Sequence, residues 1–118
     1  TRTLIMNECD AATMSWGAWE VIKSGTGADI AVFYDSNGYK NAVYRHYPTG
    51  AYYVFWATKA SGSWVETQIG SSVDHILPKA CINQHHRFAP AYNKPWVIMP
   101  ESAGNVNMRY ITSINMAA

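Results

Sequence analysis

Charge is what this chain has least of. Asp, Glu, Lys and Arg make up 14% of its 118 residues, against roughly 25% in an ordinary globular domain. The formal net charge is +1 and no dense run of Lys or Arg occurs, so the electrostatic footprint of a nucleic-acid surface is missing. No apolar run approaches the roughly 18 residues of a membrane-spanning helix, and none reads as a basic-then-apolar leader. Two cysteines, Cys9 and Cys81, are too few for a disulfide scaffold and lack metal-ligand spacing. There is no His-x-His or His-x-x-Glu-His pattern for a metal, and no Gly-x-Ser-x-Gly elbow for a nucleophile. These absences leave a polar, nearly neutral chain without catalytic, metal-binding or cofactor signatures.

What is present is a regular beat of strands and turns. From Ala28 to Ile69 the runs AVFY, NAVYRHY, AYYVFWAT and WVETQI are separated by DSNG, PTG and ASG. Alternating and aromatic-rich runs cut by such turn signals predict four antiparallel strands in a meander. In DSNG, Asp35 is expected to accept turn hydrogen bonds while Asn37-Gly38 take left-handed conformations.

The flanks repeat parts of this unit. GAWEVIKSG at Gly17 to Gly25 resembles GSWVETQIGSS at Gly62 to Ser72, with Trp19 over Trp64 and, across a small gap, Ile22 over Ile69. KNAVYRHYPTGAYYVFWAT at Lys40 to Thr58 lies without a gap over KPWVIMPESAGNVNMRYIT at Lys94 to Thr112, so that Val43 meets Val97. The same offset puts Phe33-Tyr34 over Arg87-Phe88 and predicts a strand there, carrying Gln84, His85 and His86. Residues 1–25 therefore predict two strands, 26–72 four and 73–118 three.

A four-stranded unit recurring at about 45 to 54 residues is the pattern of propeller blades. The turn DSNG, then TG, then a strand ending in Ala57-Thr58, then SGSW and a strand with Glu66 resembles the blade repeats of secreted β-propeller proteins, including lectin-like and sialidase-like ones. The chain departs from the sialidase pattern in lacking a Ser-x-Asp-x-Gly-x-x-Trp box, which removes support for carrying over an enzymatic role. The resemblance implies an all-β fold of antiparallel four-stranded blades in a single domain, about two and a quarter per chain, whereas propellers close with about four to eight. The alternative is a β-sandwich or β-barrel in one monomer.

Incomplete blades at both ends imply either a piece of a longer repeat protein or a partner, and the expected partner is the chain itself, joined head to tail into a ring or filament. With a whole blade between them, Cys9 and Cys81 should exceed the Cα separation of about 4.4 to 6.8 Å that a disulfide permits, and so should not pair within a chain. The sparse Lys and Glu and abundant Tyr, Trp, Thr, Ser, Asn and Gly fit a secreted protein, and the start at Thr1 is compatible with a mature secreted product or with a trimmed chain.

Candidate functional residues follow from what remains. His85 and His86 are neighbours in a predicted strand, so they point to opposite faces and cannot share a metal; they, His46 and His75 are expected to be structural or to face a propeller channel rather than to be ligands. Asp29, Asp35, Glu66, Asp74 and Glu101 supply carboxylates, but only spatial separation would mark a glycosidase pair. The chain has five Trp and eight Tyr, more than a small core needs. Trp19 and Trp64 are expected to pack between sheets. Trp16, Tyr39, Tyr47 and Trp96 lie at or beside predicted turns and are the candidate ligand-binding rings. The expected function is a non-enzymatic glycan-binding module, with a self-assembling structural protein as the alternative and a glycoside hydrolase third.

Overall fold

The computed structural model describes residues 2–25, 27–35, 37–46, 53–70, 79–82, 95–100 and 106–110. Every regular element among them is a strand, and every pairing is antiparallel. The meander expected between Ala28 and Ile69 is the central sheet: β5 (Gly27–Tyr34), β6 (Lys40–His46), β7 (Tyr53–Thr58) and β8 (Val65–Gly70), hydrogen-bonded in chain order. The register pairs Asn41 with Thr58, Val43 with Trp56 and Arg45 with Val54, so these six share one face. Ala42, Tyr44, His46, Tyr53, Phe55 and Ala57 share the other.

Both faces are apolar and both are covered. Val43, Val54 and Trp56 form one buried cluster with Val97, with Phe33 and Ile69 packed against it. Ala42, Tyr44 and Ala57 form a second with Leu4 and Ile22, flanked by Met6, Phe55 and Trp64. Each fully buried Val or aromatic side chain contributes about 1.5–3 kcal/mol. Double coverage explains why β6 is buried almost continuously rather than at every second residue.

The second face is covered by the amino-terminal hairpin. β1 (Leu4–Met6) pairs with β4 (Glu20–Lys23), as the two strands expected over residues 1–25. The intervening DAATMSWG segment folds back as a smaller hairpin, β2 (Cys9–Asp10) against β3 (Ser15–Trp16). Asp10 Oδ1 organises its turn by accepting from the Ala12 and Thr13 amides at 2.8 and 3.4 Å. Leu4, Met6 and Ile22 point inward, while Ile5 and Val21, a directly opposed pair, point away.

The carboxy-terminal meander is β9 (Lys79–Ile82), β10 (Pro95–Pro100) and β11 (Val106–Tyr110), in the order β11-β10-β9. β10 falls where the alignment with β6 places it. The strand expected around Arg87-Phe88 lies outside the described residues; the described partner of β10 on that side is β9, Lys79–Ile82. The pairing also slips by one. The gapless alignment predicts Trp96 opposite Ile111, but its partner is Tyr110, and such a slip exchanges the faces of a strand. Val97 and its counterpart Val43 belong to one cluster, whereas like units stacked in sequence would point equivalent residues the same way. The fold is therefore all-β with antiparallel sheets packed on both faces of a central one, and among the described residues no sheet closes on itself.

A buried polar chain ties the core to one end of the central sheet. Trp56 donates its Nε1–H to Asn41 Oδ1 at 2.8 Å, and Asn41 Nδ2 donates to Asp35 Oδ2 at 3.1 Å and to the Tyr39 carbonyl at 2.9 Å. Asn41 is fully buried, so removing it strands an indole N–H that has no water to turn to. Asn41→Ala is expected to lower stability by about 2–4 kcal/mol in urea unfolding. The double variant with Trp56→Phe should cost less than the sum of the two singles; strict additivity would show the two side chains to be uncoupled.

Candidate functional site

In an antiparallel meander alternate connections lie at the same end, so the β5–β6 and β7–β8 turns are neighbours. They have the same construction. The Gly38 amide donates to the Asp35 carbonyl at 2.9 Å and the Gly62 amide to the Lys59 carbonyl at 3.0 Å. Gly38 and Gly62 take φ values of 81° and 90°, the left-handed region that closes such hairpin loops. As expected, Asp35 is the turn's acceptor: Oδ1 receives the amides of Asn37 and Tyr39 at 2.9 and 3.0 Å. The Lys59 amide donates to the Lys40 carbonyl at 2.9 Å and joins the two turns.

Between them lies a shallow, open cleft of about 270 Å³ lined by Gly38, Tyr39, Lys40, Lys59 and Gly62. Tyr39 is 41% exposed. The amino-terminal hairpin brings two carboxylates to the same end. Glu20 accepts from Lys40 Nζ at 2.8 Å and from Trp64 Nε1 at 2.9 Å, and also pairs with Lys59. Glu8 pairs with Lys40 and accepts from the Tyr34 hydroxyl.

The electrostatics hold this cluster in its charged forms. Hydrogen bonds from Lys40 and then Lys59 hold the Glu20 carboxyl at about 2, and hydrogen bonds to Glu20 and then Glu8 push the Lys40 ammonium upward. A carboxylate ionised so firmly is no general acid near neutral pH, and an ammonium so held is no nucleophile. What the arrangement offers is a tyrosine ring beside ammonium groups whose remaining N–H bonds can reach a ligand. Two lysines face two carboxylates, so the cleft carries no net charge.

Of the four rings singled out in the sequence, Tyr39 lines the cleft. Trp16 is exposed on β3, opposite Cys9. Trp96 is the second residue of β10, its backbone paired with Cys81 of β9 and Tyr110 of β11. Tyr47 is outside the described residues. Trp64 packs between layers as expected, but Trp19 does not: it is 69% exposed, since it precedes β4 on the outward side of the hairpin and no described residue covers that side. Sequence reading missed Lys40, Lys59, Glu8, Glu20 and Trp64 as a group. Glu20 is 20 residues from Lys40 and 39 from Lys59, and only docking of the hairpin joins them.

The other candidates have structural occupations. His46 is buried, its ring edge-on to Phe55 at 5.7 Å; His75, His85 and His86 are outside the described residues. Asp29 takes φ 53° at a bulge of β5 and pairs with Arg45. Glu66 accepts from Lys23 and from the Tyr44 hydroxyl, both at 2.6 Å. Burial pushes Glu66 up, but those two hydrogen bonds together with nearby positive charge outweigh it and leave the carboxyl below its usual value. Asp74 and Glu101 are outside the described residues. Cys9 is a free, exposed thiol.

A carboxyl lowered from 4.5 to about 2 on folding stabilises the protein above the unfolded value, and that contribution fades as pH falls from about 5 toward 2. Solvent screening limits it to about 1–2 kcal/mol. Glu20→Gln should lower stability by that amount at pH 7 and flatten the acid limb of a stability–pH profile; an unchanged limb would contradict the assignment. Comparison of the chain with protein-family models, curated proteins and solved structures finds no match.

Proposed function

We propose that this chain is a non-enzymatic, extracellular glycan-binding module, lectin-like in mode, that uses the cleft around Tyr39. The observation that carries this reading is the half-exposed Tyr39 ring beside Lys40 and Lys59, on a floor of two glycine turns. A pyranose has an apolar face that stacks on an aromatic ring and hydroxyls around its edge that accept from ammonium N–H groups. The volume of about 270 Å³ is at the lower end of ligand sites and suits one sugar ring. Because Glu8 and Glu20 already neutralise the lysines, the preferred ligands are neutral sugars rather than sulfated or carboxylated ones.

The sheets are read as propeller-type blades within an assembly of several copies. A sandwich is the alternative, and the shared cluster of Val97 and Val43 favours it. A second functional reading, a self-assembling structural protein, is favoured by a different observation, the exposed Trp19, Ile5 and Val21 on the outer side of the amino-terminal hairpin.

A glycan array probed with the intact chain should light up neutral sugars, and fluorogenic glycosides should stay uncleaved. Tyr39→Ala should weaken the best ligand about tenfold, the equivalent of about 1.4 kcal/mol, with an unchanged melting temperature. An array without signal, or full affinity after the substitution, would sink this reading.

A further inference from the structure

We propose that the outward face of the β1–β4 hairpin is an interface that buries itself against a second copy of this chain. This rests on the assembly reading and is independent of glycan binding.

The hairpin is apolar on both sides. Its inner residues Leu4, Met6 and Ile22 pack on the central sheet. Ile5 and Val21 oppose one another on the outer side at 47% and 53% exposure, and Trp19, two residues before Val21, extends the strip. A hairpin standing at the margin of a protein ordinarily alternates apolar-in with polar-out. One that is apolar on both sides has the pattern of an inner layer. The central sheet has that pattern too, and this chain covers it on both sides with its own flanking strands.

The occupant follows from the repeat. Trp19 occupies the position of Trp64 in the matching segments Gly17 to Gly25 and Gly62 to Ser72. Trp64 is covered by the unit that precedes its own, with Glu20 of that unit accepting its indole N–H. The equivalent cover for Trp19 is a further unit of the same kind, and a second copy carries such units. The charge balance agrees: the strip contributes no ionised group, and a chain of net charge +1 does not repel its copies. Continuity with the intrachain interface on the hairpin's other side completes the case.

Sedimentation velocity of the intact chain from about 1 to 100 μM should show concentration-dependent association, in the range expected for a modest interface. Val21→Glu places a carboxylate where one copy leaves it in water but an interface would bury it, and should weaken association at least about a hundredfold while circular dichroism stays unchanged. Trp19→Ala gives the same readout without adding charge, should the glutamate disturb folding. A wild-type chain that remains monomeric at about 100 μM, or folded variants that associate as tightly as the wild type, would overturn the proposal. Glycan binding is read separately through Tyr39→Ala, so its failure leaves the association result standing.

Discussion

A four-stranded sheet with apolar residues on both faces cannot stand in water alone, and the rest of the described structure answers that constraint. Val43, Val54 and Trp56 on one face and Ala42, Tyr44 and Ala57 on the other are essentially inaccessible to solvent. The amino-terminal hairpin covers one face through Leu4 and Ile22, and Val97 joins the cluster on the other. Burial of apolar area dominates the energetics, but it is indifferent to direction. Direction comes from a few buried polar groups: Asn41 between Trp56 and Asp35, Tyr44 on Glu66, and Glu20 between Lys40, Lys59 and Trp64.

These polar anchors gather at the end of the sheet where the glycine turns lie. The indole of Trp56 fixes Asn41, Asn41 fixes Asp35 and the Tyr39 carbonyl, and Asp35 shapes the turn that presents the Tyr39 ring. From the other side Glu20 and Glu8 hold the lysines that border the same cleft. The candidate ligand surface is thus continuous with the core through hydrogen bonds, the kind of support a preorganised site requires. The same hairpin that delivers Glu20 to the cleft carries Ile5, Val21 and Trp19 on its opposite side. Its two sides account for the two functional readings.

Much of the architecture was legible. Turn residues and alternation marked the four central strands, although β5 begins at Gly27, ahead of the run AVFY, as well as the paired strands at the amino terminus and β10 by its alignment on β6. Asp35 was recognisable as a turn acceptor because its partners are local. Less of the site was legible. Tyr39 could be named from its place beside DSNG, but a tryptophan looks alike in sequence whether covered, as Trp64, or exposed, as Trp19.

The sequence by itself determined what depends on near neighbours: strand periodicity, the glycines that close turns at positive φ, the want of charge, and the repeat that relates the units. The tertiary structure alone decided which face each layer covers, the one-residue slip of β11 against β10, and the meeting of Glu8 and Glu20 with Lys40 and Lys59. The physical reason is that strand and turn propensities act over a few residues. Layer packing and ion pairing depend instead on distances set only after the chain has closed loops of tens of residues, and no local pattern encodes those distances.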